Sequence, residues 1–207
     1  MKNRLKKILW IISIFIFLLI ATVAYFESKF VPAKTFEWGI TFSDKHAQDL
    51  GFDWKTMYLD MLNDLKPKKL RLMTYWELIE PKRGEYNFNA TDEMLIEADK
   101  RNLEVILVVG HKQPRWPECH HPDWWSNLTD QEKQDEQLKF VQTTVEHFKK
   151  YSSIKTWQVE NEPLFVFGPD CPATSKDMLS REMEIVRKLD NRPILLTDSG
   201  ELGRWLP

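Results

Sequence analysis

The chain of 207 residues has no surplus of positive charge. Its 29 Lys and Arg stand against 31 Asp and Glu, for a net charge of −2. That balance lacks the basic footprint expected of a nucleic-acid-binding protein. Glycine is scarce, with seven residues, and no Gly-rich phosphate loop follows any predicted strand, which argues against a nucleotide site in a doubly wound sheet. His111, Cys119, His120 and His121 match no zinc spacing, because Cys-His-His in direct succession cannot easily turn three ligands onto one ion. No metal or cofactor is expected.

What is abundant is aromatic and apolar. Nine Trp and 13% aromatic residues suit either a large core or a surface that meets flat ligands. Lys2, Arg4, Lys6 and Lys7 precede residues 8–26, a stretch of 19 without charge. That length spans a bilayer core of ~30 Å, and the basic flank places the N-terminus in the cytoplasm and the rest outside. The expected organisation is a basic flank and transmembrane anchor at 1–26, a linker at 27–34 and a catalytic unit at 35–207. Thr22-Val23-Ala24 also passes as a cleavage site, so a cleaved signal and a secreted protein form the alternative.

Beyond the linker, strand and helix patterns alternate. Strands are predicted at 36–43, 69–76, 104–110, 154–162 and 194–197. Asp53 would cap a helix carrying Trp54, Met57, Tyr58, Met61, Leu62 and Leu65, with Pro67 to end it. A second helix falls near 92–102. Thr129 and Glu132 form a capping box for a third, with Leu138, Val141, Val145 and Phe148 on its apolar face. Met178, Leu179, Glu182, Ile185, Val186 and Leu189 line a fourth, a stripe broken only by Glu182. Five βα repeats imply a parallel sheet with outer helices. The long loops all follow strands, where a TIM (β/α)8 barrel keeps its active site. The expected fold is therefore an α/β TIM barrel, truncated after about five strands, since a full barrel takes about 250 residues. Such a piece, with open strand edges, is expected to aggregate or fold loosely and to be inactive.

The richest segment is Trp157-Gln158-Val159-Glu160-Asn161-Glu162-Pro163. By alternation Trp157 and Val159 share one face, while Gln158, Glu160 and Glu162 share the other. Trp76-Glu77-Leu78-Ile79-Glu80-Pro81, followed by Gly84, Tyr86 and Phe88, is a second distinctive loop. Together these segments resemble clan A glycoside hydrolases, the cellulase-like retaining glycosidases, and the resemblance covers most of residues 36–201.

The resemblance implies an enzyme that cleaves O-glycosidic bonds of a β-linked oligo- or polysaccharide by double displacement. Glu162 would be its general acid/base, with a pKa raised by burial and an anionic partner, and Asn161 would bond the sugar 2-hydroxyl. Arg71, alternating inward from Leu70 and Leu72, would orient the nucleophile or pair with Glu160 or Glu162. His111 would contact sugar, and Trp76 and Trp116 would stack on its rings, unless the loop Trp residues (Trp116, Trp124, Trp125) pack on the barrel rim. The nucleophile lies on the seventh strand in the clan, so Glu201 is expected at the rim and the nucleophile outside these residues. A non-catalytic carbohydrate-binding or scaffold protein on a degenerate barrel is the alternative function, and a metal-dependent hydrolase a third. Cys119 and Cys171 both follow strands and so lie at one end of a barrel, where a bridge is possible. An exported chain permits it, with two free thiols as the alternative.

Overall fold

The computed structural model describes residues 2–29 and 37–200, in two units that divide between residues 36 and 37. The first is one helix, α1 (Lys2–Lys29). Its Lys6–Lys29 portion, with a mean hydropathy of 2.7 over its most apolar 18-residue stretch, is long and apolar enough to cross a membrane. At ~1.5 Å per residue the helix runs about 42 Å. Phe15, Phe17 and Ile20 stand exposed along it. Residues 27–29 of the predicted linker continue the helix, and residues 30–34 lie outside the described residues.

The second unit is a five-stranded parallel sheet with helices between the strands. In chain order it comprises β1 (Gly39–Thr41), α2 (Asp44–Asp49), α3 (Trp54–Leu65), β2 (Lys69–Met73), α4 (Trp76–Ile79), α5 (Asn89–Lys100), β3 (Glu104–Val109), a 3₁₀ turn at Asp123–Asn127, α6 (Asp130–Phe148), β4 (Ile154–Val159), α7 (Lys176–Leu189) and β5 (Ile194–Leu195). The strand order β1-β2-β3-β4-β5 follows the chain. A doubly wound sheet reverses its order at a switch point; these strands march in one direction, as barrel strands do.

Local chemistry sets the helix ends. Asp53 accepts from Thr56 N at 2.9 Å to open α3, and Lys66 in the left-handed region closes it. Thr129 and Glu132 make the reciprocal capping box of α6. The apolar face of α6 is shifted from the predicted one: Phe140, Val141, Val145 and Phe148 are buried, while Leu138 is only half-buried.

Two layers of side chains flank the sheet. Leu70, Leu72, Val105, Leu107, Val109, Trp157 and Val159 point to the helices and pack with Phe140, Val145 and Phe148. Arg71, Met73, Ile106, Val108, Thr156 and Gln158, in matching register, form the opposite face, where Met73, Tyr75 and Val108 make a small cluster of their own. On the outer surface, Phe52, Met57, Met61 and Leu65 line an open groove of about 540 Å³ along α3.

All five strands are shorter than predicted, β1 covering only Gly39–Thr41. β2 ends at Met73, because Tyr75 initiates the one-turn helix α4. β4 ends at Val159, because Glu160 (φ 59°) and Glu162 (φ 44°) adopt left-handed backbone that no strand can continue. β5 covers only Ile194–Leu195. Phe36, at the start of the predicted first strand, and Glu201 lie outside the described residues.

Candidate active site

The C-terminal ends of β1 to β5 carry the polar residues. At β4 the left-handed turn at Glu160 sends successive side chains to different places. Gln158, still in the strand, faces inward: its Oε1 accepts from Arg71 Nη1 at 3.5 Å, and its Nε2 donates to Glu160 O at 3.0 Å and Asn161 Oδ1 at 3.3 Å. Glu160 does not share that face, as alternation had suggested. Its carboxylate is wholly buried and accepts from His111 N at 3.0 Å, Lys112 N at 2.5 Å and Gln137 Nε2 at 3.1 Å. It therefore lies between the sheet and α6, and it is no partner for Arg71.

Gly110 makes that possible. With φ +110°, it brings its backbone so close that an added Cβ would lie 2.3 Å from Glu160 Oε1.

Buried Asn161 and half-buried Glu162 continue the turn. Asn161 N donates to Lys112 O at 2.9 Å, and its Nδ2 donates to Glu118 Oε2 at 3.0 Å. Glu162 N donates to Thr197 Oγ1, just past β5, at 2.9 Å. Glu162 is half-buried, and its charge acts on Arg71, Lys112 and Glu118. Arg71 is half-buried beside them, its Nε donating to Thr41 Oγ1 at 3.2 Å. Burial lowers its guanidinium from the ordinary value, opposed by Glu118 and Glu162. Burial raises the Glu118 carboxyl, and the Glu162 charge adds to the rise. Two carboxyls, one guanidinium and one amide thus converge at the mouth of β2 and β4, an arrangement able to hold and pass a proton.

The sequence did not point to several members of this group. Glu118, Lys112 and Thr197 join it only through contacts 35 or more residues apart. Lys112 is fully buried, with Nζ donating to Phe165 O at 2.7 Å and Pro163 O at 3.2 Å, and so fixes the segment that follows Glu162. Asp44, just past β1, is also buried, and that burial raises its pKa to about 6.

Two residues expected to contact sugar, Trp76 and His111, are buried. Trp76 is 0% exposed. One face stacks on Phe140 at 4.8 Å, Trp124 packs edge-on at 5.8 Å, and its indole N–H donates to Glu80 Oε2 at 2.7 Å. No ring face is left for a sugar, so Trp76 is a core residue. His111 is buried too, with Nδ1 3.5 Å from Glu160 Oε1. Its backbone N–H donates to that same oxygen at 3.0 Å. Among the loop tryptophans, Trp124 donates to Glu80 O at 3.1 Å, and Trp125 is flanked by His121 at 4.1 Å and Lys133 at 4.7 Å. Trp116, 76% exposed, has its rings free.

Cys119 and Cys171 are bridged, with Cα atoms 5.5 Å apart. The bond ties the loop after β3, which carries Glu118, to the loop after β4, which follows Glu162. Closing a loop with 52 residues of separation restricts the unfolded chain by about 4 kcal/mol in the chain-entropy model. Among the described residues, no group of three or more His, Cys, Asp or Glu converges to hold a metal ion.

Residues 57–177, more than half of the chain, match the model of glycosyl hydrolase family 10. No protein with a curated description matches in sequence. Among solved structures, GH5_18 from Streptomyces cattleya in complex with GlcNAc superposes with a TM-score of 0.59 at 19% identity, over 78% of this chain and 44% of that one. GH5_18 from Bifidobacterium longum subsp. longum gives 0.58 at 17%, over 78% and 43%. Xylanase 10B from Thermotoga petrophila in complex with xylobiose gives 0.56 at 18%, over 77% and 49%. The chain thus spans less than half the length of these three structures, and their likeness establishes the TIM-barrel architecture.

Proposed function

The chain belongs to glycosyl hydrolase family 10, a clan A family with the TIM-barrel fold, and on that premise we propose that it contributes the acid/base side of a retaining β-glycosidase site. The observation that carries this reading is the Asn161–Glu162 pair at the C-terminal end of β4, with Glu162 anchored through its own N–H on Thr197. In the first step Glu162 gives its proton to the departing glycosidic oxygen while a second carboxylate attacks the anomeric carbon. In the second it takes a proton from the water that releases the sugar. Arg71 would hold the attacking carboxylate in orientation.

The second carboxylate is proposed to lie on a strand that completes the barrel. Two features support further βα units: β5 has one unpaired edge among the described strands, and the apolar groove along α3 offers a seat for a neighbouring helix. Asn161 now donates to Glu118. A sugar 2-hydroxyl would take that acceptor position, displacing Glu118, and exposed Trp116 would cover a neighbouring ring. The xylobiose complex among the similar structures makes β-1,4-linked pyranosides the first substrates to try. The full-length protein, given an aryl β-xylobioside and followed by proton NMR, is expected to release the β-anomer first. Initial release of the α-anomer would overturn the retaining assignment.

We further propose that α1 anchors the protein, with residues 35–207 as the glycosidase unit on the far side of the membrane. The basic residues before the apolar run support this orientation. Alkaline carbonate extraction should leave the protein in the membrane pellet. A soluble species beginning near Tyr25 would show a cleaved signal instead.

A further inference from the structure

The apolar stripe of α7 is interrupted by Glu182, and that residue is as buried as its neighbours, at 0% exposure. A carboxyl placed there is costly unless its oxygens are satisfied. Gln137 Nε2, on α6, donates to Glu182 Oε1 at 2.7 Å and to Glu160 Oε1 at 3.1 Å. Glu182 Oε2 meets no donor. One amide nitrogen thus holds both wholly buried carboxyls side by side, and a carboxylate can only accept. Two carboxyl groups that share a hydrogen bond need one proton between them.

We propose that Glu182 is a positioning residue for the catalytic turn: it carries that proton and gives its hydrogen bond to Glu160, so that Glu160 remains an anion aligned on the His111 and Lys112 amides. The proposal rests on the glycosidase reading for its link to catalysis. One charge then serves the buried site where two would repel. The groups facing it come from each packed element: His111 and Lys112 from the segment after β3, Gln137 from α6 and Glu182 from α7.

The electrostatics agree with this division. Burial and the adjacent Glu160 charge raise the Glu182 carboxyl well above the ordinary range. Burial pushes Glu160 upward too, but His111, Glu182 and the Lys112 amide outweigh it and hold Glu160 below. A carboxyl raised on folding stabilises the fold at low pH and loses that contribution as pH climbs through its folded value. For Glu160 the order is reversed, with stability lost as pH falls through its lowered value. The pair is therefore most stabilising between the two.

Through Glu160 the pair sets the turn that ends in Glu162. Glu160 ties the start of that turn to the segment after β3, and Lys112 of that segment accepts the Asn161 N–H. Removing the proton carrier should shift the turn without touching substrate.

The test uses the full-length protein labelled with carbon-13 at Glu carboxyls. A protonated Glu signal is expected at neutral pH that Glu182→Gln removes and Glu162→Gln leaves in place. Absence of a protonated Glu signal that depends on Glu182 overturns the proposal. Glu182→Gln supplies an amide donor that cannot be lost, so it should keep kcat and KM and remove the alkaline fall in melting temperature. Glu182→Leu should lower kcat about 10²-fold, the loss typical of a slightly misplaced catalytic group, with KM unchanged. A Leu variant with parental kcat, or a Gln variant as impaired as Leu, overturns the positioning role. If the parent cleaves no glycoside, the functional reading fails, while the labelled carboxyl and the melting profile still decide the pair.

Discussion

Glu162→Ala in the full-length enzyme is expected to lower kcat/KM about 10³-fold on glycosides with poor leaving groups, within the range that general acid–base catalysis contributes. At ~1.36 kcal/mol per decade this is about 4 kcal/mol of transition-state stabilisation. Glu162 is half-buried and makes its backbone bond to Thr197 through N–H, so truncating the side chain leaves the turn in place. Activated aryl glycosides, which leave without a proton, should lose much less in the first step. Azide, a small anion that needs no general base, should restore part of the second. A parental rate on poor leaving groups, in a variant that melts as the parent does, would remove Glu162 from the mechanism.

Gly110→Ala should be the most damaging single change to stability, by about 4 kcal/mol. Two costs combine. The backbone at φ +110° disfavours any Cβ by roughly 1–3 kcal/mol. The new methyl would also overlap Glu160 Oε1 at 2.3 Å and its Cδ at 2.5 Å, and such overpacking costs about 1–3 kcal/mol. The obstructing atoms cannot swing away, because three donors hold them. Urea unfolding of parent and variant measures the difference. A loss below ~1 kcal/mol would mean that Glu160 is not pinned as described.

Reading the sequence recovered the elements whose signals are local. The alternation of β and α, the Asp53 cap and the Thr129–Glu132 box all depend on neighbours within one turn, and each is present. The end of β4 was not legible. Left-handed backbone is ordinarily marked by Gly or Asn, and here two Glu adopt it, so simple alternation carried Glu160 to the wrong face. Trp76 misled for a related reason. The chain turns into α4 one residue earlier, and a side chain expected at the mouth is swung back under Phe140. The same limit explains Glu118, Lys112 and Thr197, which reach the site only once the sheet has formed. Glu182 was the exception in plain view. A carboxyl in an apolar stripe signalled a buried polar partnership, though its partner could not be named until β4 had been followed to its end.

The bridge between Cys119 and Cys171 makes the site depend on where the chain matures. Glu118 and the segment held by Lys112 hang from opposite ends of that bond, so the two walls of the cleft are fastened together only after two thiols have been oxidised. Made in a reducing cytoplasm, the same polypeptide would present the catalytic turn with its walls unfastened. On the proposed export, passage into an oxidising compartment would be a finishing step in building the cleft as well as a means of delivery.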